Sequence, residues 1–259
     1  MSFYDLSKTE RANLVAEIHY TIESEITSGT LSLMVLYYAD EDTYIRKAAY
    51  TETGKIFNSN KAIRKRLINI LDELQQDQDF KIRQTVINAA GEIGKVDFPC
   101  VAHFFDKGLF DKHHSPRNAV IGSIKKMGEK NPIPILEWAK KYLHHPDKEI
   151  RREICHGIEL RGRTHPQDIL PLLRELQFDK TARVRKTLVH VIGQIAYKRG
   201  CLAKVVADIR QWENQSLVTE AWEEILVIHD RYKNFSALTV AQAKSYIESE
   251  LGIMLNSAF

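Results

Sequence analysis

The chain has 259 residues, with 37 Lys and Arg against 34 Asp and Glu, a net charge of +3. An apolar share of 44% and a charged share of 27% exclude a disordered, collagen-like or disulfide-scaffold chain. No run reaches the ~20 apolar residues of a membrane span, and so even a charge balance leaves nucleic-acid affinity to the sorting of charge between faces.

Ser7 predicts an N-cap for a helix from about Lys8 to Thr27, with Leu14, Ile18 and Ile22 on its apolar stripe. Residues 31–39 and 43–57 read as a helix pair, and 63–74 with 80–96 as a second. The third pairs residues 99–110 with a helix that begins near Ser115-Pro116, where Pro is tolerated in the first turn. Asn131-Pro132-Ile133-Pro134 is a rigid lead into a fourth pair. The fifth runs from Pro166 to about Arg199 and the sixth from Cys201 to about Tyr232. A last helix has Thr239 as its N-cap. With no long linker, the expectation is one domain over 1–259: a cap helix over 1–28, about six pairs over 29–235 and a second cap helix over 236–259.

The pairs share a register. Ile82-Arg83, Pro116-Arg117, Ile150-Arg151 and Val184-Arg185 recur every 34 residues, and Ile45-Arg46 lies 37 before the first. A fixed period in this range marks a stacked-repeat protein. An Asp four residues before the Arg, at Asp42, Asp79 and Asp147, suits a helix N-cap. Apolar residues follow at +3, +7 and +10, as in Val86, Ala90 and Ile93, which is one helical stripe. Glycine recurs at +8 (Gly54, Gly91, Gly193), where it suggests close packing or access. At +11 (Gly94, Gly128, Gly162) it reads as a C-cap. The recurring Arg residues read as a ladder of Asp–Arg contacts between repeats. The pattern resembles HEAT-like repeats, with 79–96 the clearest copy. The expected fold is all-α: a right-handed α-solenoid of about six helix pairs with terminal capping helices.

In HEAT-like folds the second helix of each pair lines the concave side. Positions opposite the core stripe carry Lys47 and Lys55, then Lys95, then Lys125 and Lys126, then Arg152, His156, Glu159 and Arg163, then Lys186, His190, Gly193, Gln194 and Tyr197. Lys and Arg outnumber Glu there. A long basic surface suits a phosphate backbone, because each neutralised phosphate releases counterions; the alternative is a plain solvated face. His156 and His190, 34 residues apart, are expected side by side. Trp138, Trp212 and Trp222 read as core. Cys155 and Cys201 read as small core residues, and three scattered Cys fit a reducing, cytoplasmic setting. The His pairs His113-His114 and His144-His145 lack partners at ligand spacing, so no metal site is expected. No phosphate-loop, hydrolase or dinucleotide motif occurs, and no cofactor is expected.

Residues 130–213 go further. PILEWAKKYLHHPDKEIRREICHG, then DILPLLRELQFDKTARVRKTLVHVIGQIAYKR, then Arg210-Gln211-Trp212 resemble the bacterial HEAT-like DNA alkylation-repair glycosylases, the AlkC/AlkD superfamily. The resemblance implies a solenoid that holds duplex DNA in a basic cleft and excises cationic alkylated bases. Aromatic rings would contact the nucleotide and a carboxylate would stabilise the sugar cation. The chain departs from that pattern. His156 stands before Gly157 where an acid is expected, Gly193-Gln194 stands where Asn-Asp is expected, and the W-D-x-x-D cluster is missing. Glu159 is then the candidate carboxylate, with a solvated surface Glu as the alternative. Three readings follow: a duplex-DNA binder without those catalytic residues, a protein scaffold that takes an acidic partner segment, and an active DNA glycosylase.

Overall fold

The structure, a computed structural model, describes residues 2–252. Among them every regular element is helical. They fall into two compact units, with the boundary after Ile135.

In the first unit a short 3-10 turn (Phe3–Asp5) precedes α1 (Lys8–Ser28), α2 (Ser32–Ala39), α3 (Thr43–Ser59), α4 (Arg64–Leu74), α5 (Phe80–Gly94), α6 (Ala102–Gly108) and α7 (His114–Lys130). Helices α1, α3, α5 and α7 lie side by side, and α2, α4 and α6 pack against that row. The boundary falls within α8 (Pro132–Lys140). The second unit continues with α9 (Lys148–Gly157), α10 (Glu159–Gly162), α11 (Pro166–Arg174), α12 (Ala182–Ala196), α13 (Leu202–Ile209), α14 (Gln215–Arg231) and α15 (Val240–Leu251). Here α9, α12, α14 and α15 form the row, and α11 packs on α13. Each unit is a stack of helix pairs, the α-solenoid arrangement.

The helices start where the sequence provides a cap. Ser7 and Thr239 form capping boxes with Glu10 and Gln242. Asp42, Asp79 and Asp147 each accept the backbone N–H two residues on, at 2.8 Å. Three local expectations differ from the structure. Pro132 to Pro134 are the first turn of α8 rather than a lead into it. The long helix expected after Asp147 is split at Ile158, which leaves α10 as a single turn. Of the helix expected over 236–259, α15 ends at Leu251 and Gly252 closes it in the left-handed region at φ 64°; residues 253–259 lie outside the described residues.

The glycines at +11 are not left-handed C-caps, since positive φ among the described residues occurs only at Gly29, Gly200 and Gly252. Gly94 and Gly162 are close-approach positions instead. A Cβ on Gly162 would sit 2.5 Å from Ile195 Cδ1, and one on Gly94 would strike Met127 Sδ. The +8 glycines serve the seam between neighbouring row helices: a Cβ on Gly54 would lie 2.5 Å from Glu92 Cβ, and one on Gly91 2.5 Å from Ser123 Oγ. So the +8 column is packed, not open. Gly193, Gln194 and Tyr197, expected to face outward, are buried as well. Trp138, Trp212, Trp222, Cys155 and Cys201 are buried as expected.

The recurring arginines tie the stack together. Four of the five project Nη1 back to the turn before their own helix: Arg46 to the carbonyls of Asp40 and Glu41, Arg83 to Asp77 at 2.8 Å, Arg117 to Asp111 at 2.6 Å, Arg151 to His145 at 2.7 Å. Two then reach forward to the next repeat with the other edge of the guanidinium. Arg83 grips Asp111 at 2.7 and 2.9 Å, and Arg151 grips Asp179 at 2.5 and 3.1 Å. Bidentate geometry makes these the strong kind of ion pair. Asp111 and Asp179 also accept the N–H of His113 and Thr181, each at 2.8 Å. The ladder aspartate therefore sits six residues before the next Arg position, not four.

Burial alone would raise the pKa of Asp111 and of Asp179. The hydrogen bonds from Arg83 and Arg151 and from the turn N–H groups outweigh it and hold both below the usual carboxylate range. A carboxylate with a depressed folded pKa contributes stability above its unfolded value of about 3.9, and that contribution is lost as pH falls through the folded value. Removing one partner leaves a buried, uncompensated Arg at a cost of about 3 kcal/mol. Asp111→Ala should lose about that much stability in urea unfolding at pH 7. The gap to the parent should narrow below pH 4; a gap unchanged down to pH 2 would contradict the ladder's charge-based role.

Candidate nucleic-acid interface

In the first unit the exposed face of the row carries Lys47, Lys55, Lys95, Lys125 and Lys126. Lys55 pairs with Glu52 at 2.6 Å and Lys95 pairs with Glu92, each one turn away on its own helix. Lys126 lies 5.9 Å from the centre of the Tyr50 ring. Lys125 is half-buried, and Lys47 is exposed beside Tyr44, Tyr50, Gln84 and Asn88. Much of the positive charge on this face is thus offset locally. The face is mixed in charge rather than uniformly basic.

The second unit concentrates the charge. A shallow depression between α9 and α12 is lined by Arg152, His156, Arg183, Lys186, Thr187 and His190. His156 and His190 do share one site, as their spacing implies. Each is held by a carboxylate rather than by the other: His156 Nδ1 lies 2.8 Å from Glu159 and His190 Nδ1 lies 2.9 Å from Glu224. Arg152 and Arg183 share one carboxylate, Glu149, at 2.9 and 3.0 Å. Arg152 also lies 3.4 Å from Glu153. Lys186 is exposed and enters no ion pair among the described residues. Arg183 and Thr187 were missed as site residues. Positions 183, 186, 187 and 190 share one helix face by the three-and-four rule, so the spacing alone could have found both.

Glu159 is neither solvated nor available. It is 1% exposed. Its Oε2 meets His156, and its Oε1 meets Arg163 Nη2, which also donates to Gln194 Oε1 at 2.7 Å. Arg163 in turn lies 6.0 Å from the Tyr197 ring, and its carbonyl accepts from the Cys201 thiol at 3.3 Å. In the 34-residue register Glu159 occupies the +8 position that is Gly54, Gly91 and Gly193 elsewhere, which places it in the seam between α9–α10 and α12. A carboxylate compensated by Arg163 and turned away from solvent has little charge left for a developing sugar cation.

No family model and no curated protein matches the chain. Solved structures do. AlkD2 from Streptococcus mutans overlays at a TM-score of 0.54 and 14% identity, over 82% of this chain and 100% of that one. YIBA_ECOLI overlays at 0.44 and 17%, over 94% of this chain and 89% of that one. A designed armadillo repeat protein in complex with the peptide (KR)4 overlays at 0.36 and 16%, over 75% and 99%. The first overlay is close enough to compare folds, and at that identity it speaks for the fold alone. The chain has the fold of a HEAT-like α-solenoid similar to AlkD2.

Glu159 in this setting is a structural anion. Glu159→Ala would leave the half-buried Arg163 at the seam without its carboxylate, at a cost of about 2 kcal/mol. A thermal melt of Glu159→Ala well below the parent is expected. An unchanged melt would return Glu159 to the role of a surface or catalytic carboxylate.

Proposed function

We propose that this protein binds duplex DNA through the sugar–phosphate backbone at the basic depression of its second unit, and that it does not excise bases. The observation that carries this reading is the lining of the depression. Five of its six residues are Arg, Lys or His, and two of the arginines divide one glutamate between them. Lys186 enters no ion pair among the described residues, which leaves its charge for a phosphate. Arg and Lys side chains hinged on short helical pairs can turn to phosphate oxygens and release counterions. Thr187 also lines the depression, with its hydroxyl donated to the Arg183 carbonyl at 3.0 Å. No Phe, Tyr or Trp lines the depression, which argues for backbone contact and against a pocket for a flipped base. The burial of Glu159 among His156, Arg163 and Gln194 supports the absence of base excision.

Fluorescence anisotropy with a 20-base-pair duplex tests the reading. With Arg152, Arg183 and Lys186 on phosphates, log K should fall with log salt at a slope of about −3. The double reversal Arg152→Glu, Lys186→Glu should weaken binding at least tenfold. A methylated duplex should release no base above the protein-free rate. Failure to bind at low salt, or binding that the reversals leave intact, would overturn the proposal. A glutamate-rich peptide bound in place of the duplex would give the site to an acidic protein segment.

A further inference from the structure

The second unit holds a cavity, open to solvent on one side, that the DNA reading does not use. It lies where the end of α12 meets α13, α14 and α15, with a volume of ≈ 270 Å³. Its walls are apolar: Ala196, Leu202 and Leu238, with the rings of Tyr197 and Tyr246. Tyr197 is fixed by stacking on Tyr232 at 5.2 Å, and its carbonyl accepts from the Ala237 N–H at 3.2 Å. An engineered apolar cavity of roughly 150 Å³ is enough for benzene. This one has room for a single ring with a short substituent at each end.

Two features give the cavity a direction. Deep in it stands His229, 1% exposed, whose Nδ1 donates to the Ile225 carbonyl at 2.7 Å. Burial lowers its pKa, so the ring is neutral at pH 7. With Nδ1 committed as the donor, Nε2 is left as an acceptor for whatever enters. At the outer end stand Lys198, whose ammonium lies 4.4 Å from the Tyr197 ring centre, and Arg199, which is exposed. No carboxylate lines the cavity. The walls suit an apolar body, the mouth an anion, and the floor a hydrogen-bond donor.

We propose that this cavity is a binding site for a small aromatic carboxylate that carries a hydrogen-bond donor opposite its acid group. The ring packs between Tyr197, Leu202 and Tyr246. The carboxylate faces Lys198 and Arg199, and the donor meets His229 Nε2. The site stands apart from the DNA reading and needs no part of it.

Three probes of one size separate the elements of the proposal: 4-hydroxyphenylacetate, phenylacetate without the donor, and 4-hydroxyphenylethanol without the acid. Titration calorimetry should give saturable binding of the first with a dissociation constant on the order of 10⁻⁴ M. Each of the other two should bind about tenfold more weakly. Ala203→Trp places a large ring on an exposed rim residue and removes no buried contact. It should abolish binding with an unchanged melting temperature. Lys198→Gln with Arg199→Gln should bring 4-hydroxyphenylacetate down to the affinity of the alcohol. No saturable binding by any probe, equal affinity for all three, or binding that Ala203→Trp leaves intact would overturn the proposal.

Discussion

The guanidinium of a single recurring arginine sets the spacing on which the rest of each stack depends. Arg83 and Arg151 hold the turn that begins their own helix and the aspartate that begins the next repeat. One side chain thereby fixes two helix starts relative to each other. With the starts fixed, the small residues of neighbouring row helices fall opposite one another, and Gly54 and Gly91 allow the backbones to close in. Side-chain burial then follows, because the apolar stripe has only one place to go. Where the clasp is incomplete the chain substitutes another device. The Arg185 guanidinium makes no such clasp among the described residues, and its buried Nε has no partner. Gln177 takes over there, accepting the N–H groups of Glu213 and Asn214 at 2.9 and 3.1 Å, while Asn214 donates to its carbonyl at 2.6 Å.

Most of the fold was legible because its signals are local and repeat. The Arg register, the Asp caps and the apolar stripe each depend on helix geometry alone, and the helices begin within a few residues of where these placed them. The partner of the arginine was harder to read. Asp111 and Asp179 lie 28 residues after Arg83 and Arg151, a separation set by the turn between repeats rather than by the helix. The N-capping Asp at −4 drew attention away from them. His145 and His113 hid the pattern further, since each uses a ring nitrogen to accept the turn N–H that an aspartate accepts elsewhere, at 3.1 Å. Glycine at +11 was misread for a related reason. A glycine near a helix end has two uses, and only the neighbouring helix decides between a left-handed turn and a close approach.

The candidate site shows where one-dimensional reading fails on charge. A helical wheel placed Lys55, Lys95, Arg152 and Arg163 on one face correctly as to direction. It left out the three-and-four spacing by which Glu52, Glu92, Glu149 and Glu159 reach the same side chains. A row of basic residues is thereby reduced to one depression where Lys186 keeps a charge that no carboxylate pairs among the described residues. Glu159 is the extreme case. The wheel assigns it to the exposed face, but the break at Ile158 and the +8 seam turn it inward, so its charge serves Arg163. The same inward turn binds the catalytic question to the folding question at one residue.

The most direct measurement is the response of the histidine ring resonances to a short DNA duplex, with the ten histidines assigned by single substitution. His156 and His190 line the depression, whereas His19 sits with Glu52 in the first unit and His229 is buried. Phosphate at the depression should shift the His156 and His190 resonances in proportion to bound duplex and leave His19 and His229 in place. Shifts at His19 with none at His156 and His190 would show that the second unit's depression does not hold the DNA, and would contradict the account.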